Sequence, residues 1–323
     1  MSKRATSADV ARAAGVSRTT VSFVLNNRPD QTIPDDTRRR VLDAARRLDY
    51  RPYASARTLA AGRSSVVLLA VPALPLGSNL GRFIEVFAGE LSGYGLTLVT
   101  HLSGAQSRPL PDVCAALNAS AVVALMPVDH SEVDALRRAG ADVVLSQFSR
   151  GIDGPMGRVG RAQAEHLIAR GHQSLGYAMS VHSETRPIAE ARLSGVIDAC
   201  AEAQLNPPVV VDVDLEVADA ARAVAHWREQ GVTGVCAIND ETAIAVLAGL
   251  REHGLAAPKD LAIIGVDDIP TARLTDPPLT TVTFDVVKAA RRRAQAVAAA
   301  LAGEEVAFSG GFDSRLLIQR SST

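Results

Sequence analysis

The chain has 323 residues, 47% apolar and 21% charged, with a net charge of −1, the proportions of a globular protein with a sizeable core. No stretch approaches the ~20 consecutive apolar residues of a membrane helix. The amino-terminal "MSKRATSADVARAAG" lacks the apolar segment of a signal peptide, so a soluble, cytoplasmic protein with no membrane partner is expected. Cys114, Cys200 and Cys236 are widely spaced and offer neither a CxxC pair nor a disulfide framework; they are expected to be buried small hydrophobes in a reducing compartment.

The near-neutral total hides an asymmetry. Residues 1–63 carry thirteen Lys and Arg against six Asp, while the remainder carries twenty-one basic against twenty-nine acidic residues. A short basic head on an acidic body is the pattern of a polyanion-binding module fused to something else.

The head reads as three short helices. In "TSADVARAAG", Thr6 or Ser7 offers an N-cap, Asp9 sits in the first turn, Val10, Ala13 and Ala14 are apolar, and Gly15 is the stop. "SRTTVSFVLNN" follows after a tight turn, with Ser17 as N-cap and Val21, Val24 and Leu25 holding it to a core. In "PDDTRRRVLDAARRLDY" the expected stripe is Val41, Leu42, Ala45 and Leu48. Helix, tight turn and helix make a helix-turn-helix by pattern, whose second helix enters the DNA major groove. Arg18, Thr19 and Ser22 are then placed to face the groove, where Arg18 can pair bidentately with guanine.

From residue 65 the rhythm changes to strand–helix alternation. The apolar runs at 66–71, 96–101, 121–126, 142–147, 174–179, 208–213, 234–239 and 261–266 are of buried-strand type, with amphipathic helices between them. This is an α/β class, parallel sheets covered on both faces, and long enough for two such units. The glycine-rich "SRGIDGPMGRVG" (149–160) is the natural seam. No GxGxxG after a strand, P-loop, GxSxG or metal-spaced His/Cys cluster is present, so no enzyme activity, cofactor or metal is expected. His166 and His172 sit around a helix end, where capping is the expected role.

"DVARAAGVSRTTVSFVLNN", "TRRRVLDAARRLDYRP", "HLIARGHQSLGY", "ARLSG", "AINDETAIAVL", "LAIIGVDD", "PPLTTV" and "SRLLIQRSST" together resemble the lac repressor/galactose repressor family of bacterial transcription regulators. The resemblance covers nearly the whole chain. It implies a helix-turn-helix head (1–50), a hinge helix (51–64), and a periplasmic-binding-protein-like body (65–323) of two doubly wound subdomains. The chain would cross back between those subdomains near 284–290 and 310–313. It further implies a homodimer that binds double-stranded operator DNA, with a small-molecule effector, a sugar or related metabolite, in the body cleft. The competing reading is a periplasmic-type sugar-binding protein without regulatory role, which shares the body but lacks the head.

By the same resemblance, Arg18, Thr19 and Phe23 fall on groove-reading positions, and Thr6, Ser17, Thr20, Ser22 and Asn26 on phosphate-contacting ones. Leu59, with Ala56 beside it, falls on the hinge residue that wedges into the minor groove. Arg192 and Asp267 match the pair that holds effector hydroxyls, and Asn239 and Phe284 match cleft positions. Three departures stand out. Phe23 replaces a common arginine and cannot hydrogen-bond a base; "ALPLGSNLGRF" (73–83) lacks an Asn-Pro-Phe-type turn; in "GPMGRVGRAQ" Gly157 and Arg158 replace an Asp-Asn pair. In relatives both of these segments line the cleft.

Overall fold

The computed structural model describes residues 5–25, 33–50, 64–72, 77–104, 106–126, 128–146, 155–181, 185–305 and 315–323. The chain divides into two compact units, Met1–Ser65 and Val66–Thr323.

The first unit contains α1 (Ser7–Ala14), α2 (Arg18–Leu25) and α3 (Asp35–Arg47). Thr6 caps α1 in a reciprocal box: Asp9 N–H donates to Thr6 Oγ1 at 3.3 Å, while Thr6 N–H donates to Asp9 Oδ2 at 2.9 Å. Gly15 ends α1 at φ +66°, a left-handed conformation a Cβ disfavours, and Val16 N–H closes back onto the Ala11 carbonyl at 3.0 Å. The core is built from small residues: Val10, Ala11, Ala14, Val21, Val24, Val41, Ala44 and Ala45. Two expectations change here. Ala11 is buried and Ala13 exposed; on α3 the buried partner of Val41 and Ala45 is Ala44, while Leu42 and Leu48 stay 39% and 38% exposed. Large leucines do not fit between helices that approach across alanine.

The second unit has two sheets. In its first half, β1 (Val66–Pro72), β2 (Thr97–Ser103), β3 (Ala121–Ala124) and β4 (Val143–Ser146) form a parallel sheet in the order β2-β1-β3-β4. Its helices are α4 (Ser78–Gly93), α5 (Leu110–Leu117) and α6 (His130–Arg138). In the second half, β5 (Leu175–Ser180), β6 (Val209–Val213), β7 (Gly234–Ala237), β8 (Ala262–Val266), β9 (Thr280–Phe284) and β10 (Arg315–Ile318) run in the order β10-β9-β8-β7-β5-β6. All of its pairings are parallel except β10 with β9. There α7 (Pro155–Ala169) and α8 (Arg186–Glu202) cover one face, α9 (Val217–Glu229) and α10 (Asp240–Glu252) the other. Helix α11 (Val286–Leu301) returns to the first half, where Ala290, Ala294 and Val297 pack with Val67, Leu69, Phe83 and Phe87.

All three cysteines are free and buried, and burial pushes their thiols up. β2 and β6 are edge strands with alternating exposure rather than buried runs. β9 and β10 were not foreseen as strands: five and four residues long, one beginning with two threonines, they lack the apolar run that marks the others. Their threonines are buried because the hydroxyls find partners, Thr280 with Thr323 and Thr281 with Asp240.

Candidate functional site

In the head, Ser17 Oγ accepts the Thr20 N–H at 3.0 Å, which caps α2, and lies 2.9 Å from Thr20 Oγ1. Val21 and Val24 face inward, while Ser17, Arg18, Thr19 and Ser22 are exposed and Thr20 and Phe23 half-buried. The first turn of α2 thus presents one arginine, one threonine and two serine or threonine hydroxyls beside free N–H groups, an arrangement suited to phosphate oxygens and base edges. Thr6 is exposed at the start of α1. Asn26, Ala56 and Leu59, and with them the hinge helix, lie outside the described residues.

In the second unit, a cavity of about 270 Å³ opens between the two halves at the carboxyl ends of their strands, where open α/β sheets gather ligands. Arg192, Asn239, Asp267 and Phe284, far apart in sequence, all line it. Each is placed by a different element. Arg192 projects from α8 and is 6% exposed; its Nη1 donates to the Ile238 carbonyl, and its buried Nε has no hydrogen-bond partner among the described residues. A buried donor left unmet costs roughly 1–3 kcal/mol, which an acceptor on a ligand would return. Asn239 caps α10, its Oδ1 taking the Thr242 N–H at 2.9 Å, so its NH2 group is free of the cap. Phe284, at the end of β9, is 8% exposed and supplies an apolar wall.

Asp267 follows β8 at φ +114°, and Asp268 at φ +51°. Non-glycine residues rarely hold this conformation, and here neighbours fix it on every side. Asp267 N–H donates to the Val282 carbonyl at 2.8 Å, Thr283 Oγ1 donates to the Asp267 carbonyl at 3.2 Å, and Arg320 Nη2 holds Asp268 Oδ1 at 2.6 Å. Loss of water around it pushes the Asp267 carboxyl up to about 6, against the opposing pull of the Arg192 charge. Glu241, also lining the cavity, raises it further, and the nearby Asn79 amide, which donates to the Asp267 backbone carbonyl, lowers it.

The residues 6–53 match the model of the bacterial regulatory proteins, lacI family, and residues 164–323 match the periplasmic binding protein-like domain. The HTH-type transcriptional regulator GalR of Escherichia coli (strain K12) is 32% identical over 307 residues, covering 90% of this chain and 88% of that protein. The chain belongs to the lacI family of bacterial regulatory proteins. The regulator GalS of Salmonella typhimurium is 30% identical over 297 residues, 88% of this chain and 86% of its own. Among solved structures, the lac repressor dimer bound to operator superposes with a TM-score of 0.81 over 99% of both chains at 22% identity, a likeness of fold. The CelR–cellobiose complex gives 0.68 at 25% identity, covering 99% of this chain and 100% of that one.

As a lacI-family member the chain is a DNA-binding transcriptional regulator, and the competing reading as a binding protein without regulatory role gives way to the match over the head. Several cavity residues were not foreseen from sequence. Ser180, Thr185, Glu241 and Thr242 all line it. Asn79 and Met156 line it from the two segments that line the cleft in relatives, but neither residue was singled out, and Gly157 and Arg158 do not line it. Their signal was present but generic: each stands at the end of a strand or the start of a helix, and the topology alone decides which ends converge. His166 and His172 do not act as simple caps. His166 Nε2 meets Thr323 Oγ1 at 2.9 Å and His172 Nδ1 meets Thr233 Oγ1 at 3.1 Å.

Proposed function

We propose that this regulator is a repressor that binds a pseudo-palindromic operator as a homodimer, with its DNA affinity set by a small hydroxylated molecule in the body cavity. The observation that carries this is the convergence of Arg192, Asn239, Asp267 and Phe284, from four different elements, on one cavity between the two halves. A guanidinium and a carboxyl together offer charged donors and acceptors for hydroxyls, which are stronger and more directional than neutral ones. Arg18, Thr19 and Phe23 read the groove, with Phe23 giving an apolar contact in place of a hydrogen bond; Thr6, Ser17, Thr20 and Ser22 hold phosphates.

The cavity wall also speaks to the molecule it takes. Second-half residues bring most of the polar groups, whereas Leu80, Phe83, Leu125 and Met126 of the first half are apolar. A ligand with hydroxyls along one side and an apolar face on the other fits this division. The solved relative CelR holds cellobiose.

The test is in two steps. Selection from random duplex DNA with the full chain should enrich two inverted half-sites; an unrepeated site, or no enrichment, refutes the dimeric operator reading. The enriched DNA is then used to screen sugars, glycosides and nucleosides for a change in operator affinity. A screen in which none shifts the affinity counts against the cavity as an effector site.

A further inference from the structure

The first half of the second unit reaches into the cavity with a single polar side chain among the described residues, Asn79 at the start of α4. That side chain is already engaged across the cleft. Asn79 Nδ2 donates to the backbone carbonyl of Asp267, 188 residues further along the chain and in the other half. The same carbonyl takes the Thr283 hydroxyl at 3.2 Å from its own half. One oxygen therefore holds two donors with different consequences. Thr283 ties Asp267 to the sheet that carries it; Asn79 ties it to the opposite wall.

The geometry makes this contact sensitive to occupancy. Asp267 is held in a left-handed conformation by β9 and Arg320, so it presents its carbonyl and carboxyl from a fixed frame. If the halves separate, the Asp267 carbonyl keeps Thr283 but the first half has no second polar side chain, among the described cavity residues, to replace Asn79. A single neutral hydrogen bond biases a two-state equilibrium by up to about tenfold, enough to set a resting state and weak enough for a ligand to override.

We propose that Asn79 is a latch that sets the separation of the two halves when the cavity is empty, and that a molecule engaging Asp267 resets the cleft by taking over from the Asn79 amide. This rests on the reading of the cavity as an effector site; the experiment uses no effector, so the two can fail separately. Spin labels are placed at Ala116→Cys on α5 and Glu252→Cys on α10, both exposed and in opposite halves. The native cysteines are buried and stay unlabelled. Distances are measured in the ligand-free full chain, with excess unlabelled chain to suppress contacts between copies.

The expected result is one narrow distance in the otherwise unsubstituted chain and a displaced or broadened one in Asn79→Ala and in Asn79→Asp, which keeps the shape but loses the donor. Thr283→Val removes the other donor to the same carbonyl and should leave the distance unchanged. Unchanged distances in both Asn79 variants overturn the latch. So does an equal change in Thr283→Val, because the effect then comes from the Asp267 loop and not from the bridge. If the latch holds while the ligand screen is empty, the cleft mechanics stand and the effector reading falls.

Discussion

The Thr281 hydroxyl donates to Asp240 Oδ1 at 2.6 Å, and both residues are fully buried. The other oxygen of Asp240 takes the Ile269 N–H at 2.9 Å. The carboxyl thereby joins β9 to the segment just after the left-handed Asp267–Asp268 pair, and so braces the cavity wall from behind. Space for it exists because position 265 is glycine, where a Cβ would lie 2.1 Å from Asp240 Oδ1.

Burial pushes Asp240 up to about 7 and Asp267 up to about 6, from an ordinary 3.8. Between about pH 4 and 7 the folded state therefore binds more protons than the unfolded chain. The stability these carboxyls contribute is full below about pH 4, falls as pH rises through 6 and 7, and is level above that. Since one pKa unit is worth about 1.4 kcal/mol, the fall is on the order of a few kcal/mol for each carboxyl, the larger for Asp240. Urea unfolding of the body across this range should show it, with Asp240→Asn flattening the larger part. An unaltered pH slope in that variant would mean Asp240 is not the group responsible.

The crossing of α7 and α8 leads to a second prediction, because it places Arg192. A Cβ at Gly160 would lie 1.8 Å from the Arg192 carbonyl, and one at Gly195 would lie 1.8 Å from the Gly157 carbonyl. Backbone cannot yield as a flexible side chain can, so Gly160→Ala must move one helix. Overpacking of this kind costs about 1–3 kcal/mol or more. Gly160→Ala is expected to lower Tm and weaken ligand binding together, whereas Gly81→Ala, with nothing within 4 Å of its Cβ, should leave both unchanged. Thermal unfolding and titration of the two variants check this.

These glycines show what a sequence makes legible and what it hides. Strand–helix alternation was readable because each buried run is apolar with its own period, and Gly15 and Ser17 mark the helix-turn-helix by local chemistry alone. Arg192, Asn239, Asp267 and Phe284 were placed by resemblance, and the fold brings all four to one cavity. Asp240 escaped notice because a buried carboxylate reads as an ordinary first-turn acid on α10 until Thr281 and Ile269 arrive from elsewhere. Asn79 escaped for the same reason: its partner is in another half of the body. Leu42 and Leu48 misled in the opposite direction, since periodicity finds the apolar face but not how closely a neighbouring helix approaches it.

In the head, two substitutions one residue apart should act differently. Ser17→Ala removes the cap of α2, which costs about 1 kcal/mol of head stability, and on the proposed phosphate contact it should weaken binding to all DNA alike. Arg18→Ala leaves the cap intact and removes an exposed side chain for which base reading is proposed. It should cost about 1–3 kcal/mol on the operator and little on random DNA. Anisotropy titrations on both DNAs, at one fixed salt concentration, separate the cases. Equal losses on both DNAs for Arg18→Ala would assign it to phosphate instead.

The last prediction concerns Asp267 and depends on choosing the replacement well. Alanine would remove the carboxyl but also strain a backbone held at φ +114°, confusing two effects. Asparagine tolerates such backbone better and keeps the size of the side chain. Asp267→Asn therefore removes chiefly the charge that faces the cavity beside Arg192. A hydrogen bond to a charged group is worth roughly 1.5–3 kcal/mol, so the effector concentration needed for half response should rise about tenfold to a hundredfold. Operator affinity without effector should stay as it was, because Asp267→Asn keeps the backbone bonds of residue 267 to Val282 and Thr283. Unequal affinity for two arrangements is what regulation requires, and this variant weakens the ligand's grip without touching the DNA-reading residues. Operator binding measured across an effector titration decides it: an unshifted midpoint removes Asp267 from the site.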